Sequence, residues 1–352
     1  MKVLVINPGS TSTKIGIFDG DSQLLEKVIR HERKEFEPYA KVVDQYELRK
    51  GLIVQALEEA QLSIGDMAAV VGMGGLTRPI AGGTYIICDK MVSDLRSTVY
   101  GDHASSLGSI IAYEMTRGTG IPAFMVDPVV VDEFEDIARL SGHPLLERRS
   151  IFHALNQRAT AKRYCKETGK RYEDINLIVA HMGGGASISI HNKGRVVDSN
   201  NALDGDGPLT PERSGTLPAG QLTDLCFSGK YTHGEVRAML KGKGGVVAYT
   251  GSNSMKELEE AAKTDPQRKL LIDAFVYQVA KAIGEMSTVV CGEVEAILLT
   301  GGVCYSDYIA GEITKRVSFI APVQRYPGED ELGALAGGAL RVLRGEEQAK
   351  VY

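Results

Sequence analysis

Val3-Leu4-Val5-Ile6-Asn7-Pro8-Gly9-Ser10-Thr11-Ser12-Thr13-Lys14-Ile15-Gly16-Ile17-Phe18 opens the chain, and the reading of this stretch decides the fold. An apolar, β-branched run, a turn of small and hydroxyl residues and a second apolar run describe two strands that reverse on one another. A third run over residues 24–29, after Asp19-Gly20-Asp21, extends them into an antiparallel meander. The same order returns from Asn176: an apolar run to Ala180, the turn His181-Met182-Gly183-Gly184-Gly185, a run over 186–190, the turn Asn192-Lys193-Gly194 and a run over 195–199. Each meander is followed by alternating elements. After the first, the periodicity predicts a helix over 40–61, a strand over 68–71, a Gly-rich loop over 72–83, a strand over 84–88, a helix over 105–116 and a strand over 123–126. After the second it predicts a helix over 270–290, a strand over 296–300 leading into Gly301-Gly302, a helix, a strand over 317–320 and a last helix from about Glu331.

A pattern repeated at half the chain length is not a solenoid, whose units recur every 20 to 50 residues. It implies an α/β protein of two related domains, mixed sheets flanked by helices, with a cleft between them. The expected division is 1–149 completed by a C-terminal helix over 332–352, and a second domain over 150–331. With 352 residues, two domains also suit the length.

Composition narrows the function. Hydrophobic residues make up 43% and charged residues 24%, enough apolar material for packed cores. The net charge of −5 leaves no basic surplus for nucleic acid or an anionic membrane. Cys88, Cys165, Cys226, Cys291 and Cys304 are an odd, scattered set without a Cys-x-x-Cys pair, which fits a reducing cytoplasm better than a disulfide framework or zinc cluster. No run of eighteen apolar residues occurs, so no membrane span is expected.

Glycine, 40 of 352 residues, exceeds its usual share of about 7%, and its placement is informative. In both meander turns small residues let backbone amides and hydroxyls converge on an anion without Cβ crowding. Lys14 adds a cation beside the first. One such turn reads equally well as a tight hairpin, but two matching turns plus the Gly301-Gly302 pair after a strand point to nucleotide binding. The sequence contains no G-x-x-x-x-G-K-[ST], no G-x-G-x-x-G after a strand, no G-x-S-x-G and no H-E-x-x-H. Asp204 and Asp206 have some character of a calcium loop, but the remaining spacing fails.

Asn7-Pro8-Gly9-Ser10-Thr11-Ser12-Thr13-Lys14, His181-Met182-Gly183-Gly184-Gly185-Ala186-Ser187 and Leu299-Thr300-Gly301-Gly302 resemble the phosphate and adenosine segments of the acetate, propionate and butyrate kinase family, which has the actin-like, ribonuclease H-like ATPase fold. Val126-Asp127-Pro128-Val129-Val130-Val131-Asp132-Glu133, Ser150-Ile151-Phe152-His153-Ala154-Leu155-Asn156-Gln157, Pro211-Glu212-Arg213-Ser214-Gly215 and Arg341-Val342-Leu343-Arg344-Gly345-Glu346-Glu347 resemble its butyrate branch. The resemblance runs nearly end to end. It implies reversible transfer of a phosphoryl group from ATP to butyrate, giving ADP and butyryl phosphate, with Mg²⁺. On that resemblance Asn7 and Glu331 hold the metal. Ser10, Ser12, Lys14, His181, Gly183, Gly184 and Gly185 surround the phosphates, and Gly301, Gly302, Val303 and Ser306 lie at the adenosine. Asp127, His153 and Arg213 match the catalytic positions. A homodimer or larger homo-oligomer is also implied. At one position the chain departs: the family carries an arginine after the strand ending at Val71, where this sequence has Met73. A thioether cannot clamp a carboxylate as a guanidinium does, so either Arg78 takes over the role or the acceptor is held more loosely. His103 either lines the acyl pocket or opens a helix.

Phosphoryl transfer to a carboxylate brings one anion against another, so the site must supply positive charge and alignment. Arg213, His153, Lys14 and Mg²⁺ are the candidates for that charge. The acceptor is already ionised near neutrality, so no general base is required, and Asp127 is expected to position a cation, a water or Arg213. Two further readings stand beside this one: a kinase of the same fold acting on acetate, propionate or a branched acid, and a non-catalytic, actin-like nucleotide-binding protein.

Overall fold

The computed structural model describes residues 1–352, Arg33 by its backbone alone. In chain order the strands and helices are β1 Lys2–Pro8, β2 Ser12–Asp19, β3 Ser22–Arg30, α1 Arg33–Phe36, α2 Tyr46–Glu59, β4 Ala69–Gly72, β5 Thr84–Ile86, α3 Asp89–Ser97, α4 Ser106–Thr116 and β6 Ala123–Val126. There follow α5 Asp136–Arg139, α6 Ala154–Thr168, β7 Asn176–Met182, β8 Ala186–Asn192, β9 Arg195–Ser199, α7 Ala219–Phe227, α8 His233–Leu240, α9 Val246–Thr250 and α10 Met255–Ala261. The chain closes with α11 Pro266–Val289, β10 Ala296–Gly301, α12 Asp307–Val317, β11 Val323–Pro327 and α13 Glu331–Leu343.

These elements form two compact units, Met1–Asp132 with Asp330–Tyr352, and Glu133–Glu329. No Pro- or Gly-rich linker marks the passage at Asp132. Its position follows from side chains: Glu133 accepts from Arg158 Nη1 at 3.1 Å and from the amide of Val196 at 2.9 Å, which ties it to the second unit.

The first unit has a six-stranded sheet ordered β3-β2-β1-β4-β6-β5. β1 to β3 are the antiparallel meander, β4 and β6 run parallel to β1, and β5 closes the edge antiparallel to β6. The second unit repeats the order without the extra edge: β9-β8-β7-β10-β11, with β10 parallel to both β7 and β11. Both sheets slip register at the same place on the second meander strand, between Ile17 and Phe18 and between Ile190 and His191. Each point lies three residues past the residue that faces the next-to-last position of the first strand, Lys14 opposite Asn7 and Ser187 opposite His181.

The buried runs of β1, β4, β6, β7 and β10 form the cores because helices cover both faces. In the first unit α4 lies against β1, β4 and β6, and α13, last in the chain, returns to pack on β1, β4 and β6. Two glycines set these distances. A Cβ on Gly72 would fall 2.2 Å from the carbonyl oxygen of Gly108 on α4, and one on Gly338 would fall 2.5 Å from Val126. In the second unit the 24-residue α11 begins at an Asp265 cap with Pro266 in its first turn and covers β7, β8 and β9.

One expected element is corrected. The run over 317–320 is not a strand: Val317 is the last residue of α12, buried with Ile309 and Ile313 on one face of that helix, and the strand follows at Val323–Pro327. A β-branched pair at a helix end carries the same local signal as a short strand, and the i, i+4, i+8 spacing decides. Among the described residues, no helix is long and apolar enough to cross a membrane.

Candidate active site

The candidate residues fall into two sets, one on each unit. In the first, Asn7 is the next-to-last residue of β1 and faces Lys14 across the β1–β2 ladder. Its amide nitrogen donates to Glu331 Oε2 at 2.6 Å, because α13 begins beside the end of β1. Ser10 is exposed on the turn and Ser12 opens β2, its carbonyl accepting from the amide of Gly9 at 2.7 Å. Asp127 follows β6 and is buried. Its Oδ1 accepts from the amide of Gly83 at 2.6 Å, and its own amide donates to the carbonyl of Gly83 at 3.1 Å. Asp127 has φ of 38°, a left-handed conformation that costs of order 1–3 kcal/mol in a non-glycine residue and concentrates at functional positions.

Asn7 and Glu331 offer one carboxylate and one amide. No group of three or more His, Cys, Asp or Glu among the described residues could hold a metal alone. That donor set suits Mg²⁺, which is usually bound through one or two carboxylates, waters and the phosphates of a nucleotide.

Three residues discussed for the acceptor lie on the same unit. Arg78 is exposed, its guanidinium over the ring of Tyr352 at 4.6 Å. His103 Nδ1 bonds Ser105 Oγ at 2.9 Å and accepts from the amide of Ser105 at 3.2 Å, just before α4. Met73 is half-buried in the loop after β4, its amide donating to the carbonyl of Ile6 at 2.8 Å and its carbonyl accepting from Ser109.

In the second unit the His181 to Gly185 turn is enclosed by side chains. Arg213 lies across Gly185, where a Cβ would come within 1.8 Å of Nη1. The same Nη1 donates to the carbonyl of Ala202. The carbonyl of Gly184 accepts from Thr210 Oγ1 at 2.8 Å and from the amide of Glu212 at 3.2 Å, so the segment bearing Arg213 is sewn to the turn. His181 is buried, with Nδ1 against Asn156 Oδ1 at 2.8 Å and Nε2 at 3.2 Å from Glu329 Oε1. Gly301, at φ 89°, allows β10 to close on β7: a Cβ there would sit 2.3 Å from the carbonyl oxygen of Met182. Gly302 and Val303 lie in the short 3₁₀ turn after it, and Ser306 Oγ caps α12 by accepting from the amide of Ile309 at 3.0 Å.

His153 caps α6 and stacks on His181, ring centroids 3.8 Å apart. Its tautomer follows from a chain of hydrogen bonds. Gln157 Nε2 donates to the carbonyl of Ser187 at 3.0 Å and to Ser187 Oγ at 2.7 Å, which turns Gln157 Oε1 toward His191. His191 Nε2 donates to that oxygen at 3.0 Å, and its Nδ1 accepts from the Tyr172 hydroxyl at 2.6 Å. Ser187 Oγ accepts from Gln157 and from the amide of His153 at 3.2 Å, which uses both lone pairs. Its proton therefore goes to His153 Nδ1 at 2.8 Å, and His153 carries its own proton on Nε2. Among the described residues that Nε2 has no hydrogen-bond partner. Burial first, then the proximity of His181 and of Arg213, holds the pKa of His153 well below the usual imidazole value. From the sequence, His153 is expected among the groups that supply positive charge. This environment makes it a neutral N–H donor instead.

The comparisons with known proteins follow this geometry. The description "Acetokinase family" matches residues 141–319. Butyrate kinase 1 of Clostridium acetobutylicum is 54% identical over 352 residues, covering 100% of this chain and 99% of that protein. The chain belongs to the acetokinase family. Butyrate kinase 2 of the same organism is 53% identical over the same span, and a probable butyrate kinase of Clostridium botulinum is 51% identical. Among solved structures, the acetate kinase of Porphyromonas gingivalis superposes with a TM-score of 0.80 at 18% identity, covering 97% of this chain and 99% of that one. The acetate kinase of Entamoeba histolytica gives 0.73 at 17%, with 96% and 98% covered. At such identities these two speak for the fold alone, an α/β acetokinase fold of two mixed sheets.

The family motifs lead to the turns but not to everything that shapes them. Glu212, Glu329, Gln157 and Ser187 touch or orient the candidate residues, and all but Glu329 stand inside motif stretches. Their signal is position: each lies within four residues of a strand end, a helix cap or a Gly turn. Glu329 alone comes from a segment, Pro327-Gly328-Glu329, that no sequence pattern singled out.

Proposed function

We propose that the chain transfers the γ-phosphoryl group of ATP to the carboxylate of butyrate, reversibly, giving ADP and butyryl phosphate. The observation that carries this reading is the meeting, at one glycine turn, of the outward Nε2–H of a neutral His153 and the Arg213 guanidinium laid over Gly185. It stands in a chain that matches butyrate kinases over its whole length.

Little covalent work falls to the protein in such a transfer. The acceptor oxygen attacks already ionised, so charge on the transferring oxygens is what must be met. Arg213 meets it with a guanidinium and His153 with one hydrogen bond. His153 neither accepts nor releases a proton, because Nδ1 is occupied by Ser187. Gly183, Gly184 and Gly185 leave their backbone open to phosphate, Lys14 and the Ser10–Ser12 turn offer a cation and hydroxyls to phosphate, and Gly301, Gly302, Val303 and Ser306 serve the adenosine. Asp127, held by Gly83, orients rather than abstracts a proton. Bound at Asn7 and Glu331 with the nucleotide, Mg²⁺ would neutralise phosphate charge. Arg78 or His103 would take the acceptor carboxylate where the family's arginine is replaced by Met73. The working form would be a homo-oligomer in the cytoplasm, where ATP is available.

A hydroxamate assay trapping acyl phosphate from ATP, Mg²⁺ and each of acetate, propionate, butyrate, valerate and isobutyrate tests the proposal. The expected result is turnover with its maximum at butyrate. A maximum at two or three carbons would move the chain to acetate or propionate. Nucleotide binding without turnover on any acid would overturn the kinase reading in favour of an actin-like binding protein.

A further inference from the structure

Beneath the first turn lies a cation that the mechanism above does not use. Arg49, on α2, has no exposed surface. Its Nη1 donates to the carbonyl of Gly9 at 2.8 Å, to that of Ser12 at 3.1 Å and to Thr13 Oγ1 at 3.1 Å. Its Nη2 donates to Gln45 Oε1 at 2.8 Å and to the carbonyl of Ser10 at 3.4 Å, and its Nε to Gln45 Oε1 at 3.2 Å. The ring of Phe36 covers it at 4.7 Å. Every acceptor is neutral, and among the described residues no carboxylate pairs with this guanidinium. Burial brings its pKa down to about 10, so it stays charged near neutrality.

The carbonyls that Arg49 engages determine what the turn presents. With the carbonyl of Thr11 held by the amide of His31 at 3.0 Å, all four carbonyls from Gly9 to Ser12 are bonded on the protein side. In a trans peptide the N–H points opposite to its C=O, so the inward carbonyls of Gly9 and Ser10 direct the amides of Ser10 and Thr11 outward. Both residues are exposed, and neither amide has an acceptor among the described residues. Successive outward amides make an anion-binding concavity. A buried charge without a counter-ion is costly, and the face left open for a counter-ion is this one.

We propose that Arg49 is a positioning residue for the nucleotide's phosphates: it holds the turn with its amides outward and supplies the buried positive charge that a phosphate on the turn balances. This rests on the reading of the turn as a phosphate site. The proposal predicts a loss confined to the phosphate part of the ligand.

The test compares the dissociation constants of ADP and adenosine, and KM for ATP and butyrate, in the wild type, Arg49→Lys and Gln45→Met. Arg49→Lys keeps a charge but loses the fork. It is expected to weaken ADP by about tenfold, the size of one or two charge-assisted bonds, and to raise KM for ATP, with adenosine affinity and KM for butyrate unchanged. Gln45→Met leaves the guanidinium in place but slackens it, and serves if the lysine variant does not fold; a fall of about threefold in ADP affinity alone is expected. A folded variant in which ADP and adenosine weaken equally, or in which neither changes, would overturn the proposal and leave Arg49 as a brace. If wild-type protein binds ADP no more tightly than adenosine, the phosphate reading of the turn itself fails.

Discussion

The turn after β1 and the turn after β7 stand at equivalent points of two sheets with the same strand order and the same register slip, yet they are held from opposite sides. The first is held from within, by Arg49 pulling three carbonyls toward the core. The second is held from without, by Arg213 lying over Gly185 and by the Thr210 and Glu212 contacts to Gly184. In the first, the cation is hidden and amides and hydroxyls are presented. In the second, the cation and an imidazole N–H are themselves presented. On the proposed function, one backbone thus yields a cradle of amides in one unit and side chains that meet the transferring charge in the other, with Lys14 against Asn7 and Ser187 against His181 at matching positions beside the two turns.

The glycines of the two turns provide the sharpest test of that contrast. Arg213→Ala should lower kcat by about 10³-fold or more, in the range found for arginines that meet transferring phosphoryl charge. Gly185→Ala should lose about 10²-fold. Its methyl displaces a guanidinium that also donates to the carbonyl of Ala202, so a small fall in melting temperature is expected beside the loss of activity. Gly9→Ala should be close to neutral in both readouts, because a Cβ there meets Ser12 at an ordinary 3.6 Å. Equal losses at Gly9 and Gly185 would break the comparison. Asp127→Asn, which removes a carboxylate of the first unit while keeping its shape, should cost roughly 10²-fold in kcat and leave the acidic limb of the pH profile in place; a shifted limb would make Asp127 a base.

A smaller effect is expected from the hydrogen-bond chain behind His153. Ser187→Ala removes the donor to Nδ1, so the ring is free to place its proton on either nitrogen. A loss of about five- to tenfold in kcat with KM for ATP unchanged should follow. Nitrogen NMR of the wild type should show His153 neutral and protonated on Nε2 from pH 6 to pH 8. A protonated ring in that range would return His153 to the role of a cation.

How far these features were legible in the sequence depends on their range. The meanders, β6 and the Gly turns are local patterns, and apolar alternation with turn residues reveals them. Arg49 carries no such mark: in Tyr46-Glu47-Leu48-Arg49-Lys50 it reads as one more solvent-facing cation on a helix, and only the folded turn brings three carbonyls to it. The neutrality of His153 was equally hidden, since it depends on burial beside His181 and Arg213, which come from 28 and 60 positions further along the chain. The misplaced strand over 317–320 shows the reverse limit, a local signal overruled by the helix face to which Val317 belongs.

The smallest expected effect concerns stability, and it separates the units by their histidines. Burial lowers the pKa of His153 and of His191 in the second unit, the latter to about 3 with Arg158 adding to the effect, and that of His31 in the first, with Arg49 adding. In each case the folded chain resists a proton that the unfolded chain accepts near pH 6.5. Their contribution is therefore complete above pH 6.5 and is lost as the pH falls toward the folded values, at up to roughly 1.4 kcal/mol per pH unit for each histidine. Carboxylates with lowered pKa also lose stability in acid, but only below about pH 4.5, so the window from 6.5 to 5 belongs to the histidines. Urea unfolding at pH 7.5, 6 and 5 should give a falling midpoint across that window. His191→Gln, which keeps a polar group against Gln157 and Tyr172 but cannot take up a proton when unfolded, should be less stable at pH 7.5 and have a shallower slope than the wild type. His31→Gln should remove a smaller part of the slope, because His31 retains a raising influence from Glu35. If the two variants flatten the curve equally, acid sensitivity is shared by both units, and the division between a cradle and a reactive turn does not extend to their stability.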